Sequence, residues 1–212
     1  LAFPLAIFVE RQRRMVSVYR TAIFMPVVVG LASASLLWVW FANVDSGFLN
    51  PMLAWLGLID LKTNFFASFD SAFFIICLMV VWKVAGFTMI ILLTGLQAIP
   101  TELGEAARID GANRWKRFIY VTLPLMRKTM ALSLIRSVTG SILAFDQFYV
   151  LTKGGPNNST MTVVQLIYRY AFETKRDLGM AAALSVLVLV ALIVINAQTG
   201  VELTTERMMR YA

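Results

Sequence analysis

The sequence predicts an all-α protein: a polytopic bundle of transmembrane helices with a helix-turn-helix on the cytoplasmic side. Three observations predict it. The 212 residues are 59% hydrophobic and only 15% charged, with a mean hydropathy of +0.74, well above the roughly half-apolar composition of soluble domains. The apolar residues are gathered into long runs rather than spread at core periodicity. The basic residues that give the net charge of +7 sit in short clusters beside those runs, as in cytoplasmic loops of membrane proteins and unlike a nucleic-acid surface.

Leu1 to Val9 is an apolar stub, too short to cross a bilayer that takes about 20 helical residues. It reads as a cut transmembrane helix; a signal-peptide core would have its charges before it, and here they follow. Four longer runs are expected to span: about Ala22 to Phe41, Ala72 to Gln97, Thr129 to Leu151 and Leu178 to Ala197. A buried helix of a soluble protein would explain one such run but not four. Together they form a single domain over 1–212, with 98–128 as a cytoplasmic loop within it.

The loops set the orientation. Glu10 to Arg20 carries four Arg and one Glu, and Ala98 to Lys128 six basic and three acidic residues, so both are placed in the cytoplasm. Ala42 to Ser71, with three Asp and one Lys, falls outside. Parity then puts Thr152 to Asp177 outside and the tail inside. The four basic residues of that outer loop, against only Arg207 and Arg210 in the tail, run against the charge rule; the two earlier loops agree with each other and carry the assignment.

Within the first outer loop, Phe48, Met52, Leu53, Trp55, Leu56 and Leu58 form an apolar stretch suited to a membrane surface or a partner. The second opens with Lys153, Gly154, Gly155, Pro156, Asn157 and Asn158, a dense turn signal, before a short helix over Val163 to Phe172. Asn158, Ser159 and Thr160 fit a glycosylation acceptor, a pattern short enough to arise by chance. Cys77 lies inside an apolar run and reads as a small hydrophobe. The absence of histidine removes the commonest general base and metal ligand, and no metal cluster is present.

The cytoplasmic loop is the most informative segment. Pro100 and Thr101 start a helix that runs through Asp110 and is broken by Gly111. Asn113 caps a second short helix, in which Trp115, Phe118, Ile119 and Thr122 share a face until Leu123 and Pro124 stop it. Composition alone leaves an ordinary amphipathic loop lying on lipid headgroups as an equal reading.

The residue pattern resembles something more specific. Glu105, Ala106, Ala107, then Gly111, Val121, Leu123 and Pro124 are similar to the signature loop of binding-protein-dependent permeases, with Val121 where isoleucine is usual. Asp110, Gly111 and Ala112 match the form common in the carbohydrate, maltose-permease-like branch. Phe145, Asp146, Tyr149, Leu151, Thr152, Gly154, Gly155, Pro156, Ser159 and Thr160 look like the segment leading into the outer loop of such permeases. Leu178, Gly179, Ala181, Ala182 and Ala183 look like the start of their last span. The resemblance covers most of the chain after Trp82; the tail from Gln198 matches nothing familiar. Members of that family generally have more spans, so an N-terminal helix or more is expected to be missing.

The resemblance implies an ABC importer in the bacterial inner membrane, built from two permease subunits, two cytoplasmic ATPase subunits and an external solute-binding protein. It implies import of a sugar, a di- or oligosaccharide before a monosaccharide. Glu105, Ala106, Ala107, Asp110, Gly111, Leu123 and Pro124 would couple to the ATPase, and Gly154, Gly155 and Pro156 would meet the binding protein. The chain has no Gly-x-x-x-x-Gly-Lys-Ser/Thr loop, so no catalytic residue and no cofactor are assigned to it; ATP and Mg belong to the partner ATPases.

Lys83, Arg136 and Asp146 fall within expected spans, where an unpaired charge costs roughly 2.5 to 3.5 kcal/mol at the centre. Lys83, Ser137, Ser141, Asp146, Gln147 and Tyr149 are candidates for a solute pathway, with Trp82, Phe145 or Tyr149 as stacking surfaces. Equally, Lys83 and Asp146 form a structural pair and Arg136 snorkels to the inner face. Two basic residues also keep an anionic solute such as glycerol phosphate open. A secondary transporter would need internal repeats with interrupted helices, and a membrane enzyme a catalytic cluster at one depth; the sequence offers neither.

Overall fold

The computed structural model describes the backbone of every residue except 11–13, 61, 174–175 and 209–212, and every side chain except those residues and 14–15 and 199–208. Arg11, Arg13, Lys175 and Arg210, whose charges entered the orientation argument, lie outside the described residues. Every regular element among the described residues is helical. In chain order they are α1 (Ala2–Val9), α2 (Arg14–Val28), α3 (Leu31–Phe41), α4 (Leu49–Trp55), α5 (Phe69–Gln97), α6 (Thr101–Ile109) and α7 (Arg114–Arg117). A π-turn (Phe118–Thr122) leads into α8 (Leu123–Ile142), followed by α9 (Asp146–Thr152), α10 (Val163–Tyr168), a second π-turn (Arg169–Glu173) and α11 (Leu178–Met208).

Among the described residues three helices are long and apolar enough to cross a membrane: Phe69–Gln97, Arg114–Ile142 and Leu178–Gln198. A fourth span exists only if α2 and α3 count together. The sequence reading drew Ala22 to Phe41 as one helix; the chain instead bends by 98° between Val28 and Leu31. The reason is local. Pro26 lies in the last turn of α2 and lacks the N–H that would continue the ladder, and Gly30, with extended backbone, opens α3.

Two other boundaries differ from expectation. Leu123 and Pro124 do not stop the second short helix, which continues through the π-turn into α8 as one 29-residue span. In the widened turn the Leu123 N–H reaches back to the Phe118 carbonyl, so the proline sits where the ordinary ladder is already interrupted. The span expected over Thr129 to Leu151 ends at Ile142 instead. Phe145 (φ −131°, ψ −64°) breaks the helix, and α9 restarts with Asp146 in its first turn, where a carboxylate complements the positive end of the helix dipole.

The chain forms two compact units. In the first (Leu1–Met25, Val84–Thr139, Val194–Ala212), Ala6, Val9, Val16, Met89, Leu92, Leu93, Leu96 and Met126 make a buried apolar cluster. Gly86 and Gly95 on α5 let neighbouring backbone close in. A Cβ at Gly86 would fall on the Ile23 carbonyl, and one at Gly95 would lie 2.5 Å from Thr129 Oγ1. Small residues serve this purpose between helices in lipid, where no hydrophobic force drives packing. The Arg20 guanidinium donates to the Val9 carbonyl, 3.0 Å from Nε, filling an orphan acceptor at the end of α1.

The second unit (Pro26–Lys83, Gly140–Ile193) has its own core of Ala34, Trp38, Ala42, Leu49, Phe65, Ile75, Ile76, Met79 and Leu151. The apolar stretch expected at Phe48 to Leu58 forms α4, with Trp55 85% and Leu58 69% exposed. Cys77 is exposed on α5. Most of the Leu178–Gln198 face is bare as well, with Leu187, Leu189 and Ile193 all exposed, as suits lipid or a second apolar chain.

Candidate functional site

The helix-turn-helix takes the form its residues dictate. Pro100 (φ −59°, ψ 134°) sets the entry to α6. At the other end the Asp110 N–H donates to the Ala106 carbonyl (3.0 Å) and the Ala112 N–H to the Ala107 carbonyl (2.9 Å). Gly111 stands at φ +76°, the left-handed value that closes a helix and suits glycine. Asn113 then caps α7, its Oδ1 accepting from the Lys116 N–H at 2.8 Å.

No residue of α6 or α7 is buried. Glu105, Ala106 and Asp110 are exposed, Ala107 half-buried, and the turn carries Ile109 at 88% and Trp115 at 73% exposure. Large apolar side chains held this far out suit either a partner surface or lipid headgroups. Leu123 and Pro124 are half-buried at the foot of α8.

Several of the polar pathway candidates are already engaged with partners. Lys83 Nζ donates to the Pro26 and Val27 carbonyls at 2.9 and 2.8 Å, which the bend after α2 leaves without helical donors. Its ammonium is therefore engaged with backbone at the bend. Arg136 lies over the Phe87 ring, 4.2 Å from the centroid, a cation–π contact. Ser137 Oγ donates to the Ser133 carbonyl at 2.8 Å. Asp146, Gln147 and Tyr149 share α9; Asp146 is half-buried and Gln147 buried, its Oε1 without a hydrogen-bond partner among the described residues. Ser141 is exposed in the segment just before.

Around Tyr149 the structure assembles a group that the sequence reading did not single out. Phe145 and Tyr149 stack, with 5.1 Å between centroids and 16° between planes, and Tyr168 packs on both at 5.1 and 5.3 Å. Tyr149 Oη donates to Glu173 Oε1 at 2.9 Å. That carboxylate pushes the Tyr149 phenol up to about 12, at a position outside the three spans. Glu173 also pairs with Arg169 at 3.8 Å. The available signal was the spacing of Tyr168 and Phe172, four residues apart in a segment read only as a short helix.

The glycine turn after α9 is held by its own hydroxyls. Thr160 Oγ1 lies 2.7 Å from Thr152 Oγ1 and donates to the Gly155 carbonyl at 2.6 Å. Gly154 (φ +87°) is buried against Gln165, and Gly155 and Pro156 are half-buried across a cis peptide. The residues of this turn that face outward are Lys153, Asn157, Asn158 and Ser159.

The pattern of one family, described as the binding-protein-dependent transport system inner membrane component, matches residues 2–202. The chain belongs to that family. The permease is therefore a multi-pass membrane protein. It is 34% identical over 195 residues to a probable ABC transporter permease protein of Pyrococcus horikoshii, a match covering 92% of this chain and 67% of that one. It is equally identical (34%, over 190 residues) to the trehalose/maltose transport system permease protein of Thermococcus litoralis, covering 90% and 63%. The permease thus spans about two thirds of the length of these relatives. A crystal structure of a bacterial alginate ABC transporter, in complex with an alginate pentasaccharide-bound periplasmic protein, superposes with a TM-score of 0.82 at 25% identity. That match covers 93% of this chain and 69% of that one.

Proposed function

We propose that the permease is one of two membrane subunits of an ATP-driven importer that passes a sugar, a di- or oligosaccharide, into the cytoplasm of a bacterial cell. An external solute-binding protein delivers the solute, and two cytoplasmic ATPase subunits bind ATP and Mg and hydrolyse the nucleotide. The observation that carries this reading is the exposed turn between α6 and α7, with Gly111 at φ +76° and Ile109 almost fully exposed. A rigid knob of this kind, joined without interruption to the span Arg114–Ile142, transmits a partner's movement to the span as a rigid body. Relatives named for trehalose/maltose, lactose and arabinooligosaccharide transport favour the sugar class.

The Phe145–Tyr149–Tyr168 rings support the same class: a flat aromatic face meets the apolar face of a sugar, while a nearby carboxylate such as Glu173 accepts hydroxyl hydrogens. An anionic solute is the second reading. It is favoured by the alginate structures and by a relative in Agrobacterium fabrum named for sulfoquinovosyl glycerol transport. Against it, Lys83 and Arg136 already have partners in backbone and ring.

Solute-stimulated ATP hydrolysis by the purified complex in liposomes, across a panel of neutral and acidic saccharides, tests both. Stimulation by a neutral oligosaccharide through its binding protein is the expected result. Stimulation by acidic saccharides alone selects the second reading. Uptake driven by an ion gradient without ATPase subunits refutes both.

A further inference from the structure

A cavity of about 970 Å³ opens in the first unit, near the upper end of the range for ligand pockets, about 300–1,000 Å³. Its wall contains Leu96, in the last turn of the Phe69–Gln97 span, and Arg114, the first residue of the Arg114–Ile142 span. It therefore lies at the ends of two membrane-spanning helices, on the side that carries the basic loop.

The lining is amphipathic. Ile7, Phe8, Leu96 and Phe118 supply apolar surface, and the charges are three arginines, Arg108, Arg114 and Arg117, against Glu10 and Glu105. Among the described residues the surplus is one positive charge, the complement of one phosphodiester. Among the described residues neither Arg108 nor Arg114 has an ion-pair or hydrogen-bond partner, and Arg117 makes only a long approach to the Gly104 carbonyl at 3.5 Å. Arg114 and Arg117 are three apart in α7 and so project on one side. Guanidinium groups left open in a recess suit the forked recognition of phosphate oxygens.

We propose that this cavity binds the phosphate and glycerol of an acidic phospholipid, clamped by Arg114 and Arg117 with its chains against the apolar wall. The lipid would tie the helix-turn-helix to the membrane surface beside the span it continues into. The inference rests on the membrane location of the spans and needs no assumption about the transported solute.

The test uses the permease purified with its partner subunits and exchanged into nanodiscs of phosphatidylcholine with or without phosphatidylglycerol. Retained lipid is counted by native mass spectrometry. The wild-type complex is expected to retain phosphatidylglycerol in preference to phosphatidylcholine. At about 1 kcal/mol per basic residue, or roughly fivefold each, the R114Q/R117Q double variant is expected to lose about 25-fold in apparent affinity. K116Q, which removes a charge from α7 but not from the cavity wall, should retain the lipid as wild type does. Equal retention in R114Q/R117Q and wild type, or equal loss in K116Q and R114Q/R117Q, overturns the proposal. Displacement of the lipid by glycerol phosphate at matched concentration also overturns it, by making the cavity a site for a soluble anion. If R114Q/R117Q does not assemble, the wild-type preference together with K116Q decides.

Discussion

Replacing Lys83 separates two roles that the sequence leaves equal. Its ammonium donates two charge-assisted hydrogen bonds, at 2.9 and 2.8 Å, to the Pro26 and Val27 carbonyls at the bend. Such bonds contribute about 1.5–3 kcal/mol each, so removing both costs about 3–6 kcal/mol. Lys83→Met, however, also relieves the cost of holding a charge within a span, about 2.5–3.5 kcal/mol. The difference runs from a gain of about 0.5 to a loss of about 3.5 kcal/mol, centred on a loss of about 1.5 kcal/mol, roughly a tenfold shift in the unfolding equilibrium. Lys83→Glu gains no such relief. While ionised, a carboxylate facing two carbonyl oxygens cannot donate and forfeits the full amount, about 3–6 kcal/mol; protonated, it recovers a single bond and forfeits about half of that. Denaturation of the purified complex by SDS, followed by helical circular dichroism, is the assay. A modestly lowered midpoint for Lys83→Met and failed assembly for Lys83→Glu are expected. Wild-type midpoints for both variants, with solute transport abolished in both, would refute the reasoning and make Lys83 a pathway group.

Three further outcomes follow from other positions. Gly111→Val meets open space but must hold φ at +76°, a cost of about 1–2 kcal/mol; the permease should insert normally while solute-stimulated ATPase activity falls at least tenfold. Wild-type coupling in that variant counts against the knob. Gly86→Ala places a Cβ on the Ile23 backbone carbonyl, which cannot rotate away, so a loss of about 1–3 kcal/mol should appear as a lower denaturation midpoint; an unchanged midpoint shows the α2–α5 approach to be looser than described. Single cysteines at Asn158 and Ser159 should react with an impermeant thiol reagent added outside intact cells, and cysteines at Ile109 and Trp115 should not. Labelling of Ile109 from outside would reverse the orientation.

Much of the protein is legible in the sequence because its causes are local. Long apolar runs specify spans, since a backbone in hydrocarbon must satisfy its own hydrogen bonds. Pro100, Gly111 and Asn113 specify the entry, turn and cap of the helix-turn-helix through their own φ values and side-chain reach. The residue pattern around Glu105 placed the chain in its family before any contact was known.

What the sequence left open is decided by contacts between distant residues. Whether Pro26 ends a helix or only kinks it depends on what receives the freed carbonyls, and that group, Lys83, lies 57 residues away. Whether Tyr149 lines a path alone or joins a cluster depends on Tyr168 and Glu173, brought beside it by the hydroxyl-braced turn at Thr152 and Thr160. Nor does Pro124 announce that its helix will run on, because the accommodation lies in the widened turn before it. For Pro26 and Tyr149 the local preference is worth about 1–3 kcal/mol, and a partner from elsewhere in the chain is worth as much or more. The long apolar runs therefore located the membrane-spanning segments. Only the tertiary structure decided where they break and which polar groups are already engaged.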